Sequence, residues 1–239
     1  MCLILFAINP NPQYKLILAA NRDEFFERPT ARAKFWDRKG RILAGQDLQK
    51  GGTWLGLTKH GRFSAITNFR PPQARVSYKR SRGELPINFL ESDDSPEDYL
   101  NSIAEIKIEY NGFNLLVGDL KEYYYSSNRI KANQKLGNGF FGLSNEKLNC
   151  SWPKVRDGRR KLARLVEKGF SNSDLYKLLE DTGSSEELSA SFIHGEKYGT
   201  RAMTIVTIDS FNNVLFEEKT FGPLGKFEGL TSFSFMLEE

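Results

Sequence analysis

The chain has 239 residues, of which 39% are hydrophobic and 13% aromatic, enough to bury a large core. Its net charge of +4 comes from 34 basic and 30 acidic residues mixed along the sequence, a balance that does not call for a nucleic-acid partner. No apolar run approaches the ~20 residues of a membrane-spanning helix, and no linker, low-complexity tract or fixed-period repeat divides the chain, so a single domain over residues 1–239 is expected.

The N-terminal run "CLILFAI" and the following "YKLILAA" are continuously apolar, as strands covered on both faces are. The intervening "NPNPQ" is turn chemistry. The segment lacks a basic start, and Leu3–Ile8 is too short for a signal peptide, so secretion is not expected. "TWLGLT" and "RFSAITNF" form a second hairpin around His60, "FNLLVG" and "EYYYSS" a third pair, and "FFGLSN" a further strand. "RAMTIVTI", "VLFEEKTF" and "TSFSFML" complete the set. Short turns join most of them, so the sheets should be largely antiparallel.

Helices are fewer. "GELPINFLE" predicts a short one. "SPEDYLNSIAEI" opens with Ser95 as N-cap, Pro96 at N1 and Asp98 three residues on. "PKVRDGRRKLARLVEKG" runs from Pro153 to Gly169, with Val155, Leu162, Leu165 and Val166 on one face. Its basic residues, Lys154 and Lys161 among them, are expected on a solvated face, the competing reading being a dock for a phosphate or carboxylate. "SNSDLYKLLED" carries a second capping pair, Ser171 and Asp174. The pattern as a whole suggests stacked sheets with helices outside.

Two cysteines give no disulfide framework, and two histidines give no zinc spacing, so neither a metal nor a cofactor is expected, and a reducing, cytoplasmic setting fits. His60 and His194 both fall in turns or loops. A nucleophile here therefore needs a base other than histidine. Cys2 can supply one: once Met1 is removed, its own α-amine (reference pKa ~7.7–8.0) lies beside a thiol of pKa ~8.5 and can take its proton. Strand pairing brings the end of the second strand, "NRDE", next to Cys2. A carboxylate there can hold the α-ammonium, and an arginine can hold a thiolate or a substrate carboxylate.

"MC…ANRDE", "GGTWLG", "TNFR", "SRGEL", "GLSN…SWPKV" and "YGTRAMTIV" occur in this order from Cys2 to about Asp209. In this series the chain resembles the NRDE, or transport-and-Golgi-organisation, family, which in turn resembles N-terminal-nucleophile (Ntn) hydrolases of the choloylglycine hydrolase and penicillin V acylase type. The resemblance implies an α+β class with a four-layer αββα sandwich of two mainly antiparallel sheets. It implies a catalytic set of Cys2 as nucleophile, Asp23, the oxyanion donors Asn68 and Asn145, and the late arginine Arg201, with Asn21, Arg22 and Arg70 as substrate-binding candidates. Trp54, after the glycine pair of "GGTWLG", reads either as a wall of the substrate pocket or as core. The arginine that relatives carry before the asparagine is Ala20 here. Strict alternation puts Arg22 on the face opposite Asn21 and Asp23.

Three readings follow. One is a cysteine Ntn hydrolase of a non-peptide C–N amide in a small acylated substrate. The second is a carrier on the same fold for haem or an acyl-thioester or lipid-like ligand, since the family is associated with haem trafficking and lipid metabolism. The third is a scaffold with a dead site. All three imply a small-molecule ligand or none, no nucleic acid and no membrane span. The oligomeric state is left open.

Overall fold

The computed structural model describes residues 2–36, 40–70 and 80–238. In chain order the strands are β1 (Leu3–Asn11), β2 (Tyr14–Phe25), β3 (Thr30–Phe35), β4 (Ile42–Asp47), β5 (Leu55–Thr58) and β6 (Phe63–Asn68). Helices α1 (Glu84–Glu91) and α2 (Pro96–Ser102) come next, then β7 (Phe113–Gly118), β8 (Tyr123–Ser127), β9 (Gln134–Leu136) and β10 (Gly139–Leu143). Helices α3 (Pro153–Lys168) and α4 (Asn172–Leu179) precede β11 (Tyr198–Asp209), β12 (Asn213–Phe221) and β13 (Phe227–Met236). The class is α+β, with two antiparallel sheets, as the strand pattern predicts. The chain divides into two compact units, Met1–Glu27 with Asn138–Ser144 and Leu148–Met236, and Arg28–Gly137 with Asn145–Lys147 and Leu237–Glu239.

The first unit holds a six-stranded sheet in the order β10-β1-β2-β11-β12-β13. Alternate residues Leu3, Leu5 and Ala7 of β1, Ile17 and Ala19 of β2, and Met203 and Ile205 of β11 pack against Val155, Leu162 and Val166 of α3 and Leu175 and Leu179 of α4. The intervening Ile4, Phe6 and Leu18 are buried too, which is why these strands read as unbroken apolar runs. Helix α3 lies close on β1: a Cβ at Gly158 would sit 2.8 Å from Leu5 Cδ1. Pro153 occupies the first turn of α3, where its missing N–H costs nothing, and Ser171 and Asp174 close a full capping box at α4.

The second unit is a seven-stranded meander, β3 to β9 in sequence order. Helices α1 and α2 cover one face with Leu85, Phe89, Leu90 and Leu100 against Ile42, Ile66, Leu115 and Val117. Ser95 caps α2 through the Asp98 N–H, as its sequence predicts, but the helix ends at Ser102, short of the predicted span. Strands β3, β4 and β9 carry no clear sequence signal. Their alternation is brief, and β3 is broken by a register shift between Ala31 and Lys34.

Candidate active site

The N-terminal hairpin sets the geometry in the first unit. β1 and β2 pair with Leu3 opposite Asn21, so the start of one strand lies beside "NRDE" at the end of the other. The Asp23 backbone N–H hydrogen-bonds the Cys2 sulfur, and the Ser144 hydroxyl donates to the Cys2 carbonyl at 2.5 Å. The Asp23 carboxyl is buried and accepts from Thr200 Oγ1 at 2.7 Å across the β2–β11 pair. Tyr198 Oη donates to the Asp23 carbonyl at 3.2 Å.

Strand alternation sorts the remaining residues of the motif. Asn21 is buried, and its side-chain amide donates to the carbonyls of Leu179 at 2.9 Å and Ser191 at 2.7 Å, at the C-terminal end of α4 and in the loop beyond it. Arg22 is buried and lies 4.0 Å from Glu24, its i+2 neighbour, the two sharing the face opposite Asn21 and Asp23. Arg201 sits at a register shift between Thr200 and Ala202, an irregularity of the kind that re-aims a side chain. Its guanidinium donates to the Phe25 carbonyl at 3.2 Å and lies over the Phe26 ring.

The electrostatics follow from enclosure. Cys2 is half-buried as a residue, but its thiol is packed around, and this burial pushes the thiol above its ordinary range. The Asp23 charge adds to that push, while Arg22 and the Asp23 backbone N–H oppose it. Burial likewise raises the Asp23 carboxyl, against the Thr200 hydrogen bond and the charge of Lys154.

Lys154 is the residue that sequence reasoning misplaces. Expected on the solvated face of α3, it is 3% exposed, and its Nζ is enclosed with no hydrogen-bond partner among the described residues. Burial lowers its pKa, while Asp23, Cys2 and Cys150 act to keep it charged. The available signal was spacing: Lys154, Gly158 and Leu162 recur every four residues and share the face against β1. Thr200, inside "YGTRAM", was missed for lack of any signal beyond its neighbour Arg201.

The second unit gathers other predicted residues. Asn145 is buried, and its Nδ2 donates to the Asn68 carbonyl at 2.8 Å; its own carbonyl accepts from the Arg70 N–H at 2.7 Å. Asn68 and Arg70 are exposed. Trp54 is half-buried over Gly45, where a Cβ would lie 2.3 Å from the indole. "GGTWLG" and "SRGEL" meet directly, with the Thr53 N–H donating to the Gly83 carbonyl at 3.0 Å. The glycine pair makes a tight turn before β5: Gly51 has φ +77°, and its N–H donates to the Asp47 carbonyl.

His60 lies in the β5–β6 turn, 4.0 Å from Glu238, and the His194 ring packs against Phe192. Among the described residues no group of three or more His, Cys, Asp or Glu side chains is placed to hold a metal ion, and no helix is long and apolar enough to cross a membrane.

Comparison with known proteins places the chain in a family. A family model described as Transport and Golgi organisation 2 fits residues 1–223. The human Transport and Golgi organization protein 2 homolog is 34% identical over 257 residues, covering 92% of this chain and 93% of that one. Transport and Golgi organization protein 2 of Drosophila melanogaster is 29% identical, covering 92% of each. Among solved structures, the Caenorhabditis elegans ortholog of N-acylethanolamine-hydrolyzing acid amidase superposes with a TM-score of 0.51 at 13% identity, over 85% of this chain and 92% of that one. A mutant conjugated bile acid hydrolase from Clostridium perfringens gives 0.54 at 9% identity, over 98% and 92%. At such identities the likeness is one of fold.

Proposed function

The chain belongs to the Transport and Golgi organisation 2 family, and we propose that it is a cysteine N-terminal-nucleophile hydrolase that cleaves a non-peptide C–N amide bond of a small acylated substrate. The observation that carries this reading is the Cys2 thiol at the head of β1, hydrogen-bonded by the backbone of Asp23, whose carboxyl is itself buried and held by Thr200. A buried carboxyl beside a thiol at position 2 is expensive to maintain for stability alone. The two solved structures of like fold are, by name, an acid amidase and a conjugated bile acid hydrolase, which supports an acyl-amide substrate class.

The chemistry needs the Cys2 amine to be free. Met1 lies outside the described residues, and its removal leaves that amine on the residue that bears the thiol. The amine takes the thiol proton, and the thiolate attacks the amide carbonyl. The tetrahedral intermediate collapses to an acyl thioester as the ammonium returns its proton to the departing amine. Water then hydrolyses the thioester, with the same amine as base. Asp23 holds the ammonium in place, and Thr200 holds Asp23.

Intact-mass analysis of the native protein, with and without a thiol-reactive acyl analogue, tests this. Molecules should begin at Cys2 and gain one acyl mass on that residue. Cys2→Ala should lose the adduct and keep the fold, because a small side chain at a strand start leaves little cavity, and Cys150, buried in the α3 core, should stay unmodified. Retention of Met1 in essentially all molecules overturns the proposal.

A further inference from the structure

A thiolate and a carboxylate in one enclosed site amount to two buried negative charges, and each makes the other harder to form. The fold places a cation there. Lys154 is on the first turn of α3, four residues before Gly158, where that helix comes within van der Waals distance of β1. Its side chain is therefore aimed at the sheet rather than at solvent. Nζ is enclosed, takes no hydrogen-bond partner among the described residues, and has Asp23, Cys2 and Cys150 as the acidic groups in electrostatic reach. Of the other cations acting on the site, Arg22 already lies 4.0 Å from Glu24, and the N-terminal ammonium supplies a single charge to both Cys2 and Asp23. A buried lysine of this kind is costly and is tolerated where opposite charge answers it.

We infer that Lys154 is the counter-charge that allows a Cys2 thiolate and the Asp23 carboxylate to exist together, a positioning residue for the nucleophile. This rests on the reading of Cys2 given above, but it concerns ionisation, not turnover. With Lys154 present, the lysine and the N-terminal ammonium together match the two negative charges of the thiolate and the carboxylate. Without it, the ammonium alone faces both, and one negative charge in the enclosure goes unanswered. Cys150 is the third acid in reach, but it belongs to the apolar core against α3 and serves as an internal reference.

The test is the rate of Cys2 alkylation by iodoacetamide at neutral pH, followed by peptide mass on the purified full chain. Lys154→Met should react about ten-fold more slowly than wild type, because a smaller share of its Cys2 is thiolate at neutral pH. Lys154→Arg should retain most of the wild-type rate. The decisive variant is Lys154→Met combined with Asp23→Asn. It removes one charge of each sign, so it should recover most of the rate lost in Lys154→Met, which a packing role of the lysine stem would not produce. The double variant carries neither buried charge and should fold even where Lys154→Met does not. A Lys154→Met rate within two-fold of wild type overturns the inference. So does a double variant that reacts as slowly as Lys154→Met, or one that fails to fold. If alkylation follows the expected order but no acyl donor ever modifies Cys2, the counter-charge stands and the hydrolase reading falls.

Discussion

The Thr200 hydroxyl donates to Asp23 Oδ1 at 2.7 Å and accepts from the Ile193 N–H at 2.9 Å. One side chain thus ties the buried carboxyl of β2 to the loop that leads into β11. Thr200 is itself fully buried, so neither bond is shared with bulk water. Thr200→Val keeps the shape and removes both bonds, leaving buried polar groups without their partner. It should cost about 1–3 kcal/mol in urea unfolding, and Thr200→Ser should cost less than half of that. Equal losses for the two variants would assign the effect to packing instead.

Asn21 is named among the substrate-facing residues by family resemblance, yet its amide ends on two backbone carbonyls, Leu179 and Ser191. These close the C-terminal end of α4 onto the sheet. Asn21→Ala should therefore destabilise the protein by about 2 kcal/mol and speed amide exchange at the end of α4 and in the loop 181–191. If exchange there is unchanged, the amide is not what fastens that segment.

Much of the first unit can be read directly from the residues. The unbroken apolarity of "CLILFAI" and "YKLILAA" reports strands buried on both faces, and the short Asn/Pro turn between them forces the pairing that sets Leu3 against Asn21. The capping residues Ser95 and Ser171 announce α2 and α4 because their hydroxyls have a local job, visible within four residues. What was hidden depends on distant partners. Thr200 matters through Asp23, 177 positions away. Lys154 looks like one more basic residue of α3 until the four-residue spacing to Gly158 and Leu162 is weighed above its charge. In the second unit, β3 and β4 escape notice because "TARAKF" and "ILAGQD" are short and mixed. Asn145 was legible as a motif residue, but not that its amide would end on the Asn68 carbonyl.

Gly52 makes a prediction about the second unit. Its φ is not of the left-handed kind, so flexibility is not the reason for glycine there. The reason is space: a Cβ would lie 2.3 Å from the Gly83 carbonyl carbon, backbone that cannot swing aside. Gly52→Ala should destabilise the protein by about 1–3 kcal/mol through overpacking, whereas Gly40→Ala, whose Cβ would meet nothing within 4 Å, should show only the milder cost of its positive φ. Thermal unfolding of the two variants side by side checks the order.

The buried lysine makes a prediction about stability and pH whose sign can be worked out. Burial lowers the Lys154 pKa from its ordinary 10.5, so the unfolded chain binds this proton more tightly than the folded one. The folded state then loses stability as pH falls from 10.5 through the depressed folded value, and the full penalty is present below that. Lys154→Met removes this penalty, so relative to wild type the variant should gain most at neutral pH. The advantage should shrink as pH rises and vanish above the ordinary lysine range. Asp23 works in the opposite direction, its raised pKa costing stability as pH rises from 3.8 through the folded value. The Cys2 thiol, raised above 9.0, titrates in the alkaline window in both proteins. Removing Lys154 also shifts both of these groups, so the pair is compared in a Cys2→Ala, Asp23→Asn background, where the difference between the two stability curves isolates Lys154. Urea unfolding across neutral to alkaline pH measures it, and a gap that stays constant with pH would show that packing, not charge, separates the two proteins.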